Sequence, residues 1–111
     1  MIRLAVATIV FCLLAPAAFA QSAALFEQGK QVYADQKCRV CHAIAGDGNR
    51  NGALDEVGAK LSAEEIRQWI VDAPAMAEKT KSTRKPLMRA YTNIQGEELD
   101  ALVAYMQSLK S

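Results

Sequence analysis

The sequence predicts an all-α fold, and three observations carry the prediction. Apolar residues recur at helical spacing over residues 21–36 and again over residues 96–109. A capping signature, Ser62-Ala63-Glu64-Glu65, opens a third helix between them. No stretch keeps the every-second-residue alternation of a half-buried strand.

In the first helix, Leu25, Gly29 and Tyr33 recur at intervals of four, with Phe26 and Val32 beside them. Gly29 costs about 1 kcal/mol of helix propensity. It is either a tolerated helix glycine or a place where another helix crosses close to the backbone. Residues 46–52, Gly-Asp-Gly-Asn-Arg-Asn-Gly, are too rich in turn formers for helix or strand. They lack the acidic spacing and closing glutamate of a calcium loop, so a solvated loop is expected. A second loop is expected over residues 57–61.

In the third helix Ser62 can accept the amide of Glu65 while Glu65 reaches back, and Ile66, Trp69 and Ile70 form the apolar face. Pro74 disfavours helical geometry in the residue before it, which places the stop near Asp72-Ala73. A short helical piece follows over residues 74–79, since proline is tolerated in a first turn. Residues 80–92 read as irregular. The last helix carries Leu99, Leu102, Val103, Met106 and Leu109 on one stripe, with Tyr105 adjoining.

Residues 1–20 read as a secretory leader and stand outside the fold. Arg3 gives the positive start, an apolar run extends from Leu4 to Phe19, and Ala18-Phe19-Ala20 is a small-x-small cleavage site. A membrane span needs about 20 apolar residues, so the run is short for an anchor, although an uncleaved anchor is the alternative. Cys12 follows Phe11 rather than a small residue, which argues against lipid attachment, and it leaves with the leader. Cleavage after Ala20 leaves one domain, residues 21–111, with a core that is marginal unaided. The leader's only charge is Arg3, so the 13 basic residues of the chain become 12 against 12 acids. That balance lacks the strongly basic face of a nucleic-acid binder. No stable membrane insertion is expected after cleavage.

The chemistry lies in Cys38-Arg39-Val40-Cys41-His42. Two thiols three positions apart can each add to one vinyl group of a haem, and the next histidine is then held beneath the iron. A redox dithiol would need a βαβ pattern, which is missing. A structural zinc site wants four ligands, and this chain offers one cysteine pair and one histidine after the leader. A disulfide explains neither His42 nor so small an exported helical chain. His42 is the only histidine, so bis-histidine ligation within one chain is impossible. The soft ligand for the other face is a methionine, from Met76, Met88 and Met106. Met106 is accounted for by core packing and Met76 by a short helical turn. Met88 follows Pro86 in the irregular segment and is the favoured ligand, with Met76 behind it.

With these residues in place, the chain resembles a small soluble class I cytochrome c of the bacterial monohaem type, over residues 23–109. Cys38-x-x-Cys41-His42 is the strongest element. Pro86-Leu87-Met88, with Tyr91 three residues on, resembles the family's methionine-ligand loop. The resemblance implies first and last helices that cross, with Gly29 and Tyr33 meeting Leu102 and Tyr105, around one covalent haem c in the core. It also implies that a carbonyl at or near Ala53 accepts the proximal histidine's ring proton, where many relatives carry a proline. Trp69 is either core or a partner for a haem propionate. Leu54, Leu61, Ile66, Ile70 and Leu87 are expected in the pocket or core.

The expected function is a periplasmic one-electron carrier with His42 and Met88 on the iron and no catalytic side chain. The alternative is a haem-bearing subunit of a periplasmic dehydrogenase, and a haem enzyme or gas sensor stands third. Partners would be redox proteins, a donor and an acceptor, among them a dehydrogenase or a terminal oxidase. Lys79, Lys81, Arg84, Lys85 and Arg89 cluster around Met88. They form either a merely solvated face or a rim that steers acidic partners.

Overall fold

The computed structural model describes the backbone of residues 15–111 and the side chains of residues 21–111. The leader assigned to residues 1–20 therefore lies largely outside the described residues. In chain order the elements are α1 (Ala15–Asp35), a 3-10 turn (Cys38–Val40), β1 (Ala43–Ile44), β2 (Asp47–Gly48) and a second 3-10 turn (Arg50–Gly52). Then come α2 (Val57–Lys60), α3 (Ala63–Val71), α4 (Ala73–Thr80) and α5 (Gly96–Ser108). The fold is mostly helical, as expected. Among the described residues no helix is long and apolar enough to cross a membrane.

The core forms where α1 meets α5. Leu99, Leu102, Val103, Tyr105 and Met106 of α5 are buried together with Val32 of α1, Ile66 and Ile70 of α3, and Ile94. Gly29 sits at the closest approach. A Cβ there would overlap the Ala101 carbonyl and lie 2.6 Å from Tyr105 Cβ. The packing explanation of this glycine is therefore the right one. Its backbone neighbour is Ala101 rather than the expected Leu102, which turns towards the centre of the molecule. Phe26 and Tyr33 both meet the Tyr105 ring edge-on, with centroids 5.2 Å and 5.9 Å away. Such pairs add roughly 0.5–1.5 kcal/mol each beyond simple burial.

The capping box of α3 is complete. Ser62 Oγ accepts the Glu65 amide at 3.1 Å, and Glu65 accepts the Ser62 amide at 3.0 Å. That reciprocal bond holds the Glu65 carboxyl below its ordinary pKa. α3 ends at Val71, and Asp72 then caps α4 by accepting the Ala75 amide, with Pro74 in the first turn. One residue thus closes one helix and opens the next.

Two loop expectations are corrected. Residues 57–60 form the short α2 instead of a loop. The Gly58 amide donates to the Leu109 carbonyl at 2.9 Å, and Gly58 lies against the Gln107 carbonyl, so the end of α5 holds this turn in place. Residues 46–52 are also more ordered than a solvated loop. β1 and β2 pair antiparallel, Ala43 with Gly48 and Ile44 with Asp47, and Asn49 caps the following 3-10 turn. Residues 81–92 lack helix and strand, as expected, and are anchored by the Tyr91 amide on the Ile70 carbonyl at 2.9 Å.

A Gly29→Ala variant should lose about 1–3 kcal/mol of stability, even though alanine is the better helix former. A lower urea midpoint at unchanged slope would show it; a midpoint at or above that of the parent would mean the helices do not meet at this residue.

Candidate functional site

One cavity of about 600 Å³ gathers the sequence-predicted site residues. Cys38, Cys41, His42 and Met88 all line it. So do the expected pocket residues Leu54, Leu61, Ile66, Ile70 and Leu87, together with Trp69, Tyr33, Leu102 and Met106. Met76 is buried on α4 and is not part of the lining.

The thiol pair is presented by a sharp exit from α1. Lys37 takes a left-handed conformation, φ 57°, and the chain then enters the 3-10 turn that carries Cys38. The His42 amide folds back onto the Cys38 carbonyl at 2.9 Å, so histidine and cysteines form one compact bend. The two thiols are free and not bonded to each other. Burial pushes the Cys38 thiol up to about 11, against the smaller opposing pull of its own backbone bond and Arg89.

His42 Nδ1 lies 2.9 Å from the Gly52 carbonyl oxygen. A carbonyl only accepts, so Nδ1 carries the proton and Nε2 keeps its lone pair. Burial lowers the pKa of the ring; the Gly52 bond opposes this, and the Arg84 charge adds to the lowering. The result is a neutral, oriented imidazole with one nitrogen available to a metal. The acceptor is Gly52, adjacent to Ala53 and within the place expected for it. The second 3-10 turn brings Gly52 round, with its own amide on the Asn49 carbonyl at 3.1 Å.

Among the described residues, no three His, Cys, Asp or Glu side chains assemble to hold a metal on their own. The donors that line the cavity are instead one imidazole, two thiols and thioether sulfurs. Its other walls are largely aliphatic and aromatic, which suits a large planar apolar group with a metal at its centre. The Tyr33 hydroxyl is buried with no hydrogen-bond partner, and burial pushes it up to about 12. Val40 and Leu87, at 67% and 50% exposure, are the large exposed hydrophobic residues, and both line this cavity.

Sequence reasoning missed two features. One is Tyr33 as a polar wall of the cavity, since its helical spacing signals only packing. The other is Arg84, whose guanidinium donates to the Cys41 carbonyl from 43 residues away. No local pattern encodes so distant a contact. Trp69 is half-buried and lines the cavity, compatible with both of its readings.

Comparison with known proteins agrees with this geometry. A family model described as cytochrome c matches residues 26–110. The chain is also similar to a protein named cytochrome c oxidase subunit 2 from Alkalihalophilus pseudofirmus, at 30% identity over 95 residues. That match covers 78% of this chain and 26% of the relative, so the chain spans about a quarter of the relative's length. No solved structure matches.

Asn49 ties this region together: its side chain accepts the Asn51 amide at 3.1 Å and donates to the Val40 carbonyl at 3.4 Å. Asn49→Ala should cost about 1 kcal/mol, read as a lower urea midpoint. An unchanged midpoint would mean that the turn is held without this cap.

Proposed function

Because this chain belongs to the cytochrome c family, we propose that it carries single electrons on one haem c attached to Cys38 and Cys41. His42 and Met88 are the residues that would hold its iron. The observation that carries this reading is the His42–Gly52 bond, which leaves Nε2 as a donor beside two free thiols in one cavity.

Haem bound there supplies a one-electron Fe(III)/Fe(II) couple. The protein's part is to hold and tune it. Cys38 and Cys41 would attach it through thioethers, His42 would offer Nε2, and Met88 would offer a soft sulfur that favours the reduced metal. Leu54, Ile66 and Ile70 would keep water from it, which lowers the local dielectric. With both ligands supplied by the protein, the activity proposed is transfer of an electron to another protein.

The surface around the cavity suits such transfer. Val40 and Leu87 expose apolar area there, while Lys79, Lys81, Lys85 and Arg89 are exposed nearby in sequence to Met88. These cations attract acidic partners and orient their approach. The leader of residues 1–20 directs export, with cleavage after Ala20 and function in the periplasm, where a donor such as a dehydrogenase and an acceptor oxidase would meet it. Similarity to a cytochrome c oxidase subunit 2 supports a second reading, in which the same haem domain serves as a stable part of a larger oxidase or dehydrogenase assembly. Recovery of a partner at stoichiometric yield would favour the assembly, and recovery of the chain alone favours the diffusible carrier.

Two measurements test the proposal. In the oxidised holoprotein, Met88→Ala should abolish the weak near-infrared sulfur-to-iron band, whereas Met76→Ala should retain it; the reverse pattern would assign the ligand to Met76. Electron transfer to an acidic partner should slow by on the order of tenfold between low and physiological salt. A rate independent of ionic strength would remove the steering role from the basic cluster.

A further inference from the structure

We infer that Arg84 is the positioning residue for His42: its guanidinium fixes the backbone at Cys41 and Gly52, so that the Gly52 carbonyl stays on Nδ1. The inference rests on the haem reading above and concerns a residue that is itself neither a ligand nor an attachment point.

The carbonyl that sets the tautomer of His42 belongs to a glycine, the residue type with the greatest backbone freedom. Left to itself, that peptide would rotate and the imidazole with it. The Gly52 amide is held by the Asn49 carbonyl at 3.1 Å, and Leu54 follows with its amide on the Ala43 carbonyl at 2.8 Å. Asn49 in turn donates its amide to the Arg39 and His42 carbonyls, so these bonds join the Gly52 turn to the cysteine bend, and all of them lie within residues 38–54.

Arg84 adds a tie from outside that loop. Its Nη2 donates to the carbonyl of Cys41, the residue immediately before His42. The same guanidinium lies against Gly52, so closely that a Cβ there would overlap Nη1 and Nη2. The lack of a side chain at Gly52 is thus what admits the arginine. The ion pairs among the described residues, Arg39–Asp47 and Arg67–Asp100, leave Arg84 without a carboxylate. Its donors are directed at backbone oxygen instead.

One consequence concerns both faces of the cavity. Arg84 lies in the same irregular segment as Met88, whereas Cys41 and Gly52 frame His42. A single side chain therefore couples the two ligand-bearing segments. Lysine cannot stand in for it, because a point charge lacks the planar fork that reaches the Cys41 carbonyl and lies beside Gly52.

The test uses the reduced holoprotein and follows solvent exchange of the His42 Nδ1 proton by NMR, with the Ile66 amide on α3 as control. Arg84→Lys and Arg84→Gln should each speed exchange at His42 by roughly tenfold and leave Ile66 unchanged. The reduction potential of Arg84→Lys should rise, because a weaker bond at Nδ1 makes the imidazole a less basic ligand while the charge is retained. Unchanged exchange in both variants, with a potential shift only in Arg84→Gln, would reduce Arg84 to a nearby charge and overturn the inference. Faster exchange at Ile66 as well would mean general loosening and overturn it too. A purified parent without haem absorption would instead overturn the haem reading, and the inference with it.

Discussion

The bond between His42 Nδ1 and the Gly52 carbonyl, 2.9 Å long, determines what the central cavity can hold. It sets the tautomer and turns the free nitrogen into a donor, while burial, against the pull of this bond, keeps the ring neutral. The tautomer and the free donor would both be lost with the peptide turned away. The cysteine bend, the two-stranded ribbon and the second 3-10 turn all serve that one contact. The ribbon returns the chain from His42 to Gly52 within ten residues. Asn49 closes the turn, with its amide near the His42 carbonyl at 3.0 Å.

The same constraint explains why so short a chain has a stable centre. Small domains bury too little surface to be comfortable alone. Here α1 and α5 form a tight seam at Gly29, but the ring of α2, α3, α4 and the irregular segment encloses a cavity instead of closing on itself. Leu102, Met106, Ile66 and Ile70 belong to both the core and the cavity wall. A haem in that space would complete the core, so attachment and folding become one process, as for other metal-dependent small domains.

Much of this was legible in the sequence, for identifiable reasons. The ends of the chain follow the 3.6-residue period, and the capping box of Ser62 and Glu65 is a local signal with a local cause. The pentapeptide from Cys38 to His42 needs no tertiary context to be read. What escaped were contacts made by distant parts of the chain. α2 depends on the Leu109 carbonyl, the Gly29 contact falls on Ala101 because of how two helices are rotated, and Arg84 reaches Cys41 across the cavity. The ribbon was missed because two-residue strands show no periodicity.

The account depends most directly on whether both thiols are consumed by a haem. Intact-mass analysis of the protein exported by its source, read beside its visible absorption, decides this. The predicted result is a chain heavier than residues 21–111 by one haem, with the intense bands of a low-spin porphyrin and no free thiol. A colourless polypeptide of unmodified mass, with two titratable thiols, would contradict it.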